Sequence, residues 1–181
     1  MTAMQNLEMQ RVHVFDFEPL SFLSGLINLD LHNTQLTSLA PIGGLSELME
    51  LDVSKTNIQD LTPVSGLANL VTLNIDSTLV RDVQALAGLQ NLEELHANHT
   101  FISNLAPLQK LPALERIYCD QTPVKKAVAD AFMASKPGVL VIFDSKDLQA
   151  WWNSLPASWQ GILQSTARIS VTPGKEELAR L

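Results

Sequence analysis

At 181 residues, with 46% hydrophobic content and a formal net charge of -7, the chain has enough apolar material for one ordinary domain and its core. Its 12 basic residues against 19 acidic ones argue against a nucleic-acid partner, because neutralising phosphates needs a basic face. A single cysteine, Cys119, excludes an internal disulfide and a thiolate metal cluster.

The first residues, MTAMQNLEMQR, lack the basic-then-apolar pattern of a secretory signal, and no run reaches the apolar length of a membrane span. The expectation is a soluble chain, cytoplasmic in preference to exported. Met4, Leu7, Met9, Val14 and Phe17 then fit the second half of a frame that recurs later, so residues 1–18 read as a half-repeat with a strand near Leu7 to Met9.

From residue 19 the frame is complete. Five tandem stretches of 22 residues, 19–40, 41–62, 63–84, 85–106 and 107–128, keep one register, which predicts a solenoid whose units bury their apolar faces against each other. Seven positions are apolar in every copy; in the second they are Ile42, Leu45, Leu48, Leu51, Val53, Ile58 and Leu61. Leu51 and Val53 alternate with Glu50, Asp52 and Ser54, as on a strand with one buried face, and the spacing of three elsewhere suits a short helical or 3₁₀ turn. Pro19, Pro41, Pro63 and Pro107 open four of the copies, where a missing N–H does least harm. Gly44, Gly66 and Gly88, three residues on, are expected to supply left-handed or tightly turned backbone.

The motif LxxLxLxxTxI resembles the leucine-rich repeat family, in the short form of bacterial internalin-like arrays. The resemblance implies an α/β solenoid with a curved parallel sheet on the concave side and short helical or 3₁₀ turns on the convex side. Where such repeats carry Asn, this chain has Thr34, Thr56, Thr78, Thr100 and Thr122. Five inward hydroxyls are expected to form a structural ladder satisfying backbone groups of the turns after each strand.

Beyond Thr122 the pattern changes. Val124, Val128, Ala131 and Phe132 share a face, predicting an amphipathic helix over 123–135. Val139 to Phe143 reads as a covered terminal strand, Ser145 as the N-cap of a helix, and Pro156 as the start of another. Residues 129–165 are thus a C-terminal cap or spacer. Trp151, Trp152 and Trp159 are expected to plug the solenoid's end, and WWNSLPASW resembles segments beside leucine-rich arrays in Bacteroidetes-type proteins. Ile169 to Val171 and Thr172 read as a strand and a helix start, so 166–181 would begin a further repeat unit.

No phosphate loop, nucleophilic triad or metal-ligand motif stands in a suitable context, so no enzyme activity, cofactor or metal is expected. Cys119 shares its slot with Leu31, Val53, Ile75 and Ala97 and reads as core, while His96 and His99 read as solvated surface. What remains is the exposed face of the sheet. The frame puts Glu8, Asp30, Asp52, Asn74, His96 and Tyr118 in one column, with Glu50, Glu94 and Arg116 in the column before it and Asp76, Asn98 and Asp120 in the column after.

The expected site is this concave face, with Glu8, Asp30, Glu50, Asp52, Asn74, Asp76, His96, Arg116 and Tyr118 receiving a protein partner that has a basic surface. A carbohydrate-binding or adhesion module is the alternative, and would need Tyr118, His96 and the tryptophans as an exposed platform. Like charges on adjacent strands repel, so folding is expected to gain nothing from the acidic row.

Overall fold

The computed structural model describes residues 4–10, 12, 14, 16–145, 152, 153, 155–158, 160, 161 and 164. Trp151, Trp159 and the strand and helix start expected within 166–181 lie outside the described residues.

Seven parallel strands form one sheet in chain order: β1 (Asn6–Glu8), β2 (Asn28–Asp30), β3 (Glu50–Asp52), β4 (Thr72–Asn74), β5 (Glu94–His96), β6 (Arg116–Tyr118) and β7 (Leu140–Ile142). The repeat frame is the strand register. Leu29, Leu51, Leu73, Leu95 and Ile117 are successive partners, and each is at most 2% exposed. Such a column removes one large aliphatic side chain per coil from water, about 1.5 to 3 kcal/mol each.

On the far side stand 3₁₀ turns at Glu18–Phe22, Ala40–Ile42, Thr62–Gly66, Gln84–Gly88 and Ala106–Leu108. Proline occupies the first or second position of four of them, where its fixed φ suits the turn. Of the two parts expected of the glycines, tightly turned backbone is the one met: Gly66 and Gly88 close 3₁₀ turns and Gly44 stands in a turn. Gly44, Gly66 and Gly88 do not have positive φ, and a Cβ on Gly44 or Gly88 would meet nothing within 4 Å. The close approaches are at Gly43, whose missing Cβ would lie 3.2 Å from Pro63 of the next coil, and at Gly66, whose Cβ would lie 3.1 Å from the Gly43 carbonyl.

Left-handed backbone occurs instead just after each of β2 to β7, at Asn33, Lys55, Ser77, His99, Gln121 and Asp144, with φ from 52 to 57°. For residues with a Cβ this conformation costs about 1 kcal/mol or more each. It turns the N–H toward the next coil: Asn33, Lys55, Ser77 and His99 donate to the carbonyls of Ser54, Asp76, Asn98 and Asp120, each at 2.8 Å. The following threonine closes the turn. Thr34, Thr56, Thr78, Thr100 and Thr122 donate their hydroxyls to the carbonyls of Leu31, Val53, Ile75, Ala97 and Cys119, at 2.6–2.8 Å. Each bond stays within its own coil.

The C-terminal helix α1 (Lys126–Ser135) starts three residues later than the apolar face predicts. Val124 N–H goes to the Thr122 hydroxyl, which prolongs the turn, and Lys125 at the N-cap offers no side-chain acceptor. Ala129 and Phe132 bury the helix against the array. Strand β7 then pairs with β6 in register, Tyr118 opposite Ile142. Ile142 thus continues the concave column, yet it is 1% exposed, so this face is covered at its C-terminal end. Trp152 is buried as well, at 3% exposure, and its carbonyl accepts from the Leu155 amide and the Gln160 side chain.

Candidate partner-binding face

The alternation of each strand turns one residue in two away from the core. Glu8, Asp30, Asp52, Asn74, His96 and Tyr118 therefore stand as consecutive neighbours across the sheet, and Asn28, Glu50, Thr72, Glu94 and Arg116 do the same beside them. Between them they form an open groove of about 420 Å³. Its lining takes in Glu8, Asp30, Glu50, Asp52, Asn74 and His96, but not Asp76, Arg116 or Tyr118.

The acidic row contributes to folding, contrary to the sequence expectation. Asp30 accepts the amide of His32 at 2.9 Å, Asp52 that of Ser54 at 2.8 Å, and Asn74 that of Asp76 at 3.0 Å. Each side chain thus caps an amide two residues on that would otherwise lack a partner as the strand ends. A second set of bonds stiffens the row: His32 Nδ1 lies 2.8 Å from Asp30 Oδ1, and the Asn74 amide donates to Asp52 Oδ2 at 2.8 Å. These charge-assisted bonds offset the repulsion between neighbouring acids.

Past Asn74 the capping passes from within the strand to between coils. Asp76 accepts the backbone N–H of Asn98 at 2.6 Å and its side-chain amide at 3.0 Å. Asn98 in turn accepts the N–H of Asp120, and Asp120 accepts both the N–H and the hydroxyl of Ser145. Asp76 is therefore the first link of a structural chain, and Asp120, 5% exposed, is buried in it. The Ser145 hydroxyl is turned back to Asp120, and the residues of the helix it was expected to cap, 146–150, lie outside the described residues.

The concave positions released from capping hold different chemistry. The His96 and Tyr118 rings stack with centroids 4.3 Å apart and planes 8° from parallel. Arg116 makes a two-nitrogen contact with Glu94 Oε1, and His96 Nε2 lies 3.4 Å from the other Glu94 oxygen. Desolvation alone would raise the Glu94 pKa, but the hydrogen bonds and charges of Arg116 and His96 outweigh it and hold the carboxyl below its ordinary value.

Asp30, His32 and Asp52 each place one ligand-type atom within 4.8 Å of the others, the arrangement a divalent cation would use. All three are half-exposed and already engaged with one another or with strand-end groups, which is the chemistry of a cap. Burial pushes the Cys119 thiol up to about 12, as its core slot requires. Sequence reading put Glu94, Asn98 and Asp120 in their columns and picked out Ser145, but missed the bonds that tie them together. The signals were present: Glu94 and Arg116 lie one frame apart, as do Asp76, Asn98 and Asp120.

No protein-family model and no curated protein matches the chain. Solved structures do. An internalin, inlF, of Listeria monocytogenes superposes with a TM-score of 0.66 at 25% identity over 73% of this chain and 38% of that one. Internalin C2 of the same organism gives a TM-score of 0.59 at 26% identity over 76% of this chain and 69% of its own. A leucine-rich repeat protein of Leptospira interrogans, at 18% identity and a TM-score of 0.56, shares the fold. The chain spans well under half the length of inlF. No helix among the described residues is long and apolar enough to cross a membrane.

Proposed function

The chain is a leucine-rich repeat protein, and from that premise we propose that it acts without catalysis, as a protein-interaction module that uses the N-terminal half of its concave face. One observation carries the reading. The groove is lined by Glu8, Asp30, Glu50 and Asp52 with no lysine or arginine among its lining residues, whereas Glu94, two strands from Glu50, is neutralised by Arg116. A partner that brings cations into this groove meets Asp30 and Asp52 already held in place, so little ordering of those two is lost on binding. His96, at the end of the groove, adds a flat and less charged contact backed by Tyr118.

The carbohydrate reading is weaker. It calls for exposed indoles, and Trp152 is buried.

Glu8 and Glu50 are both exposed and cap no backbone amide, so they can be neutralised without touching the strand ends. Retention of partners from the source cell on immobilised wild-type chain should fall steeply with salt. Glu8→Gln with Glu50→Gln should lower both the retention and its salt dependence at unchanged melting temperature. Equal retention by the double variant at low salt would remove this assignment.

A further inference from the structure

We infer that the occupant of the groove is a basic α-helix lying across the strands, along the solenoid axis. The inference rests on the acidic-face reading above and deepens it. Glu8, Asp30 and Asp52 are register partners on β1, β2 and β3, so their backbone positions repeat at the spacing of parallel strands, about 4.8 Å and then about 9.6 Å, and present carboxylates at that period. A helix rises about 1.5 Å per residue, which puts basic side chains at i, i+3 and i+7 on one face at 0, about 4.5 and about 10.5 Å. The match holds within about 1 Å, inside the reach of a lysine or arginine stem.

Other backbones miss it. An extended strand presents alternate side chains about 6.7 Å apart and falls out of step by about 4 Å at the third carboxylate. A polyproline helix returns to the same face only every 9.3 Å or so and would leave Asp30 unmatched.

Two of the three carboxylates are also fixed in place. Asp30 is held by His32 and Asp52 by Ser54 and Asn74, and each keeps further lone pairs for a ligand. The same helix continued along the groove brings i+10, about 15 Å on, close to Asn74 at about 14.4 Å, and i+14, about 21 Å on, to within about 2 Å of His96 at about 19.2 Å. A polar residue at i+10 and an aromatic or arginine at i+14, lying against the imidazole that Tyr118 backs, complete the expected partner.

The test uses three dye-labelled peptides of about 18 residues, equal in net charge, the first two side-chain-stapled and equal in composition. The first carries arginines at i, i+3 and i+7, the second at i, i+2 and i+4, and the third repeats the first with a central proline in place of the staple. Anisotropy titrations against the full chain at low salt are expected to show the first binding about ten-fold more tightly than the other two. That preference should vanish for Glu8→Gln with Asp30→Asn. If all three bind alike, or the second binds best, the helix inference is overturned while the acidic face stands. If none binds, both fall.

Discussion

The two halves of the array meet one requirement in two ways. In the N-terminal half the amide beyond β2, β3 and β4 is capped by that strand's own concave residue: His32 by Asp30, Ser54 by Asp52, Asp76 by Asn74. In the C-terminal half it is capped from the preceding coil: Asn98 by Asp76, Asp120 by Asn98. Capping from within the strand obliges the concave position to be Asp or Asn, and so leaves acids facing the groove. Capping between coils frees that position, and there the chain holds the His96–Tyr118 stack and, in the next column, the Glu94–Arg116 ion pair. Charge left open to a partner and charge settled internally thus follow from where the cap comes from.

The halves share their core, and the largest effect comes from breaking what they share. Leu73 lies on the middle strand at 0% exposure. Leu73→Ala should cost about 2 to 5 kcal/mol in denaturant unfolding, from lost transfer energy and the cavity left behind. A loss below about 0.5 kcal/mol would mean that the two halves do not share a packed interior there.

Next in size is the contrast between the caps themselves. Asp120 is buried and satisfies both the amide and the hydroxyl of Ser145, so Asp120→Ala should cost about 2 to 4 kcal/mol. At Asp30, with 27% of its side chain exposed, water can replace the carboxylate, and Asp30→Ala should cost about 1 kcal/mol or less. Equal losses at the two positions would erase the distinction between the halves.

How much of this was legible depends on the period of the signal. The 22-residue frame fixed the register of β1 to β6 because every apolar position repeats it, and the columns of the concave face came with that register. The left-handed residues were not visible, since Asn, Lys, Ser, His and Gln share no property beyond polarity, and the backbone there is set by the threonine turn that follows. The acidic row was visible as residues but was read as pure repulsion, because the pattern says where Asp30 and Asp52 stand and not what their oxygens hold. The start of α1 moved for a local reason, the Val124 amide turning to Thr122.

A finer contrast lies inside the N-terminal half. Asp30→Asn keeps the acceptor for the His32 amide and removes one like charge, so stability should hold or rise slightly. Asp52→Asn keeps the acceptor for Ser54 but sets an amide nitrogen against the Asn74 amide nitrogen, which cannot turn because its oxygen caps Asp76. About 0.5 to 1.5 kcal/mol should be lost. Melting temperatures of the two variants that moved together would show that the Asp52–Asn74 bond contributes nothing.

The smallest expected effect belongs to the C-terminal half and is read through pH. Glu94 has a folded pKa below its unfolded value: desolvation opposes this, but Arg116 and His96 outweigh it. A depressed carboxyl stabilises the fold above its unfolded pKa, and that contribution is lost as pH falls through the lower, folded value. The window is therefore acidic, beneath the ordinary carboxylate range, and neutral pH lies on its plateau. Because the pair is partly solvated, the plateau should be worth only about 0.2 to 1 kcal/mol and shrink in high salt. Arg116→Gln removes the main cause of the shift, so the stability gap between wild type and variant should be flat near neutrality and close as acid protonates Glu94. The uncompensated acids of the other half predict a different response to salt, since screening there relieves repulsion instead of weakening an attraction. With the Arg116→Gln gap taken away, added salt at neutral pH should leave the melting temperature unchanged or raise it. A gap that widened toward acid pH would reverse the sign assigned to Glu94, and with it the claim that this half settles its charge internally.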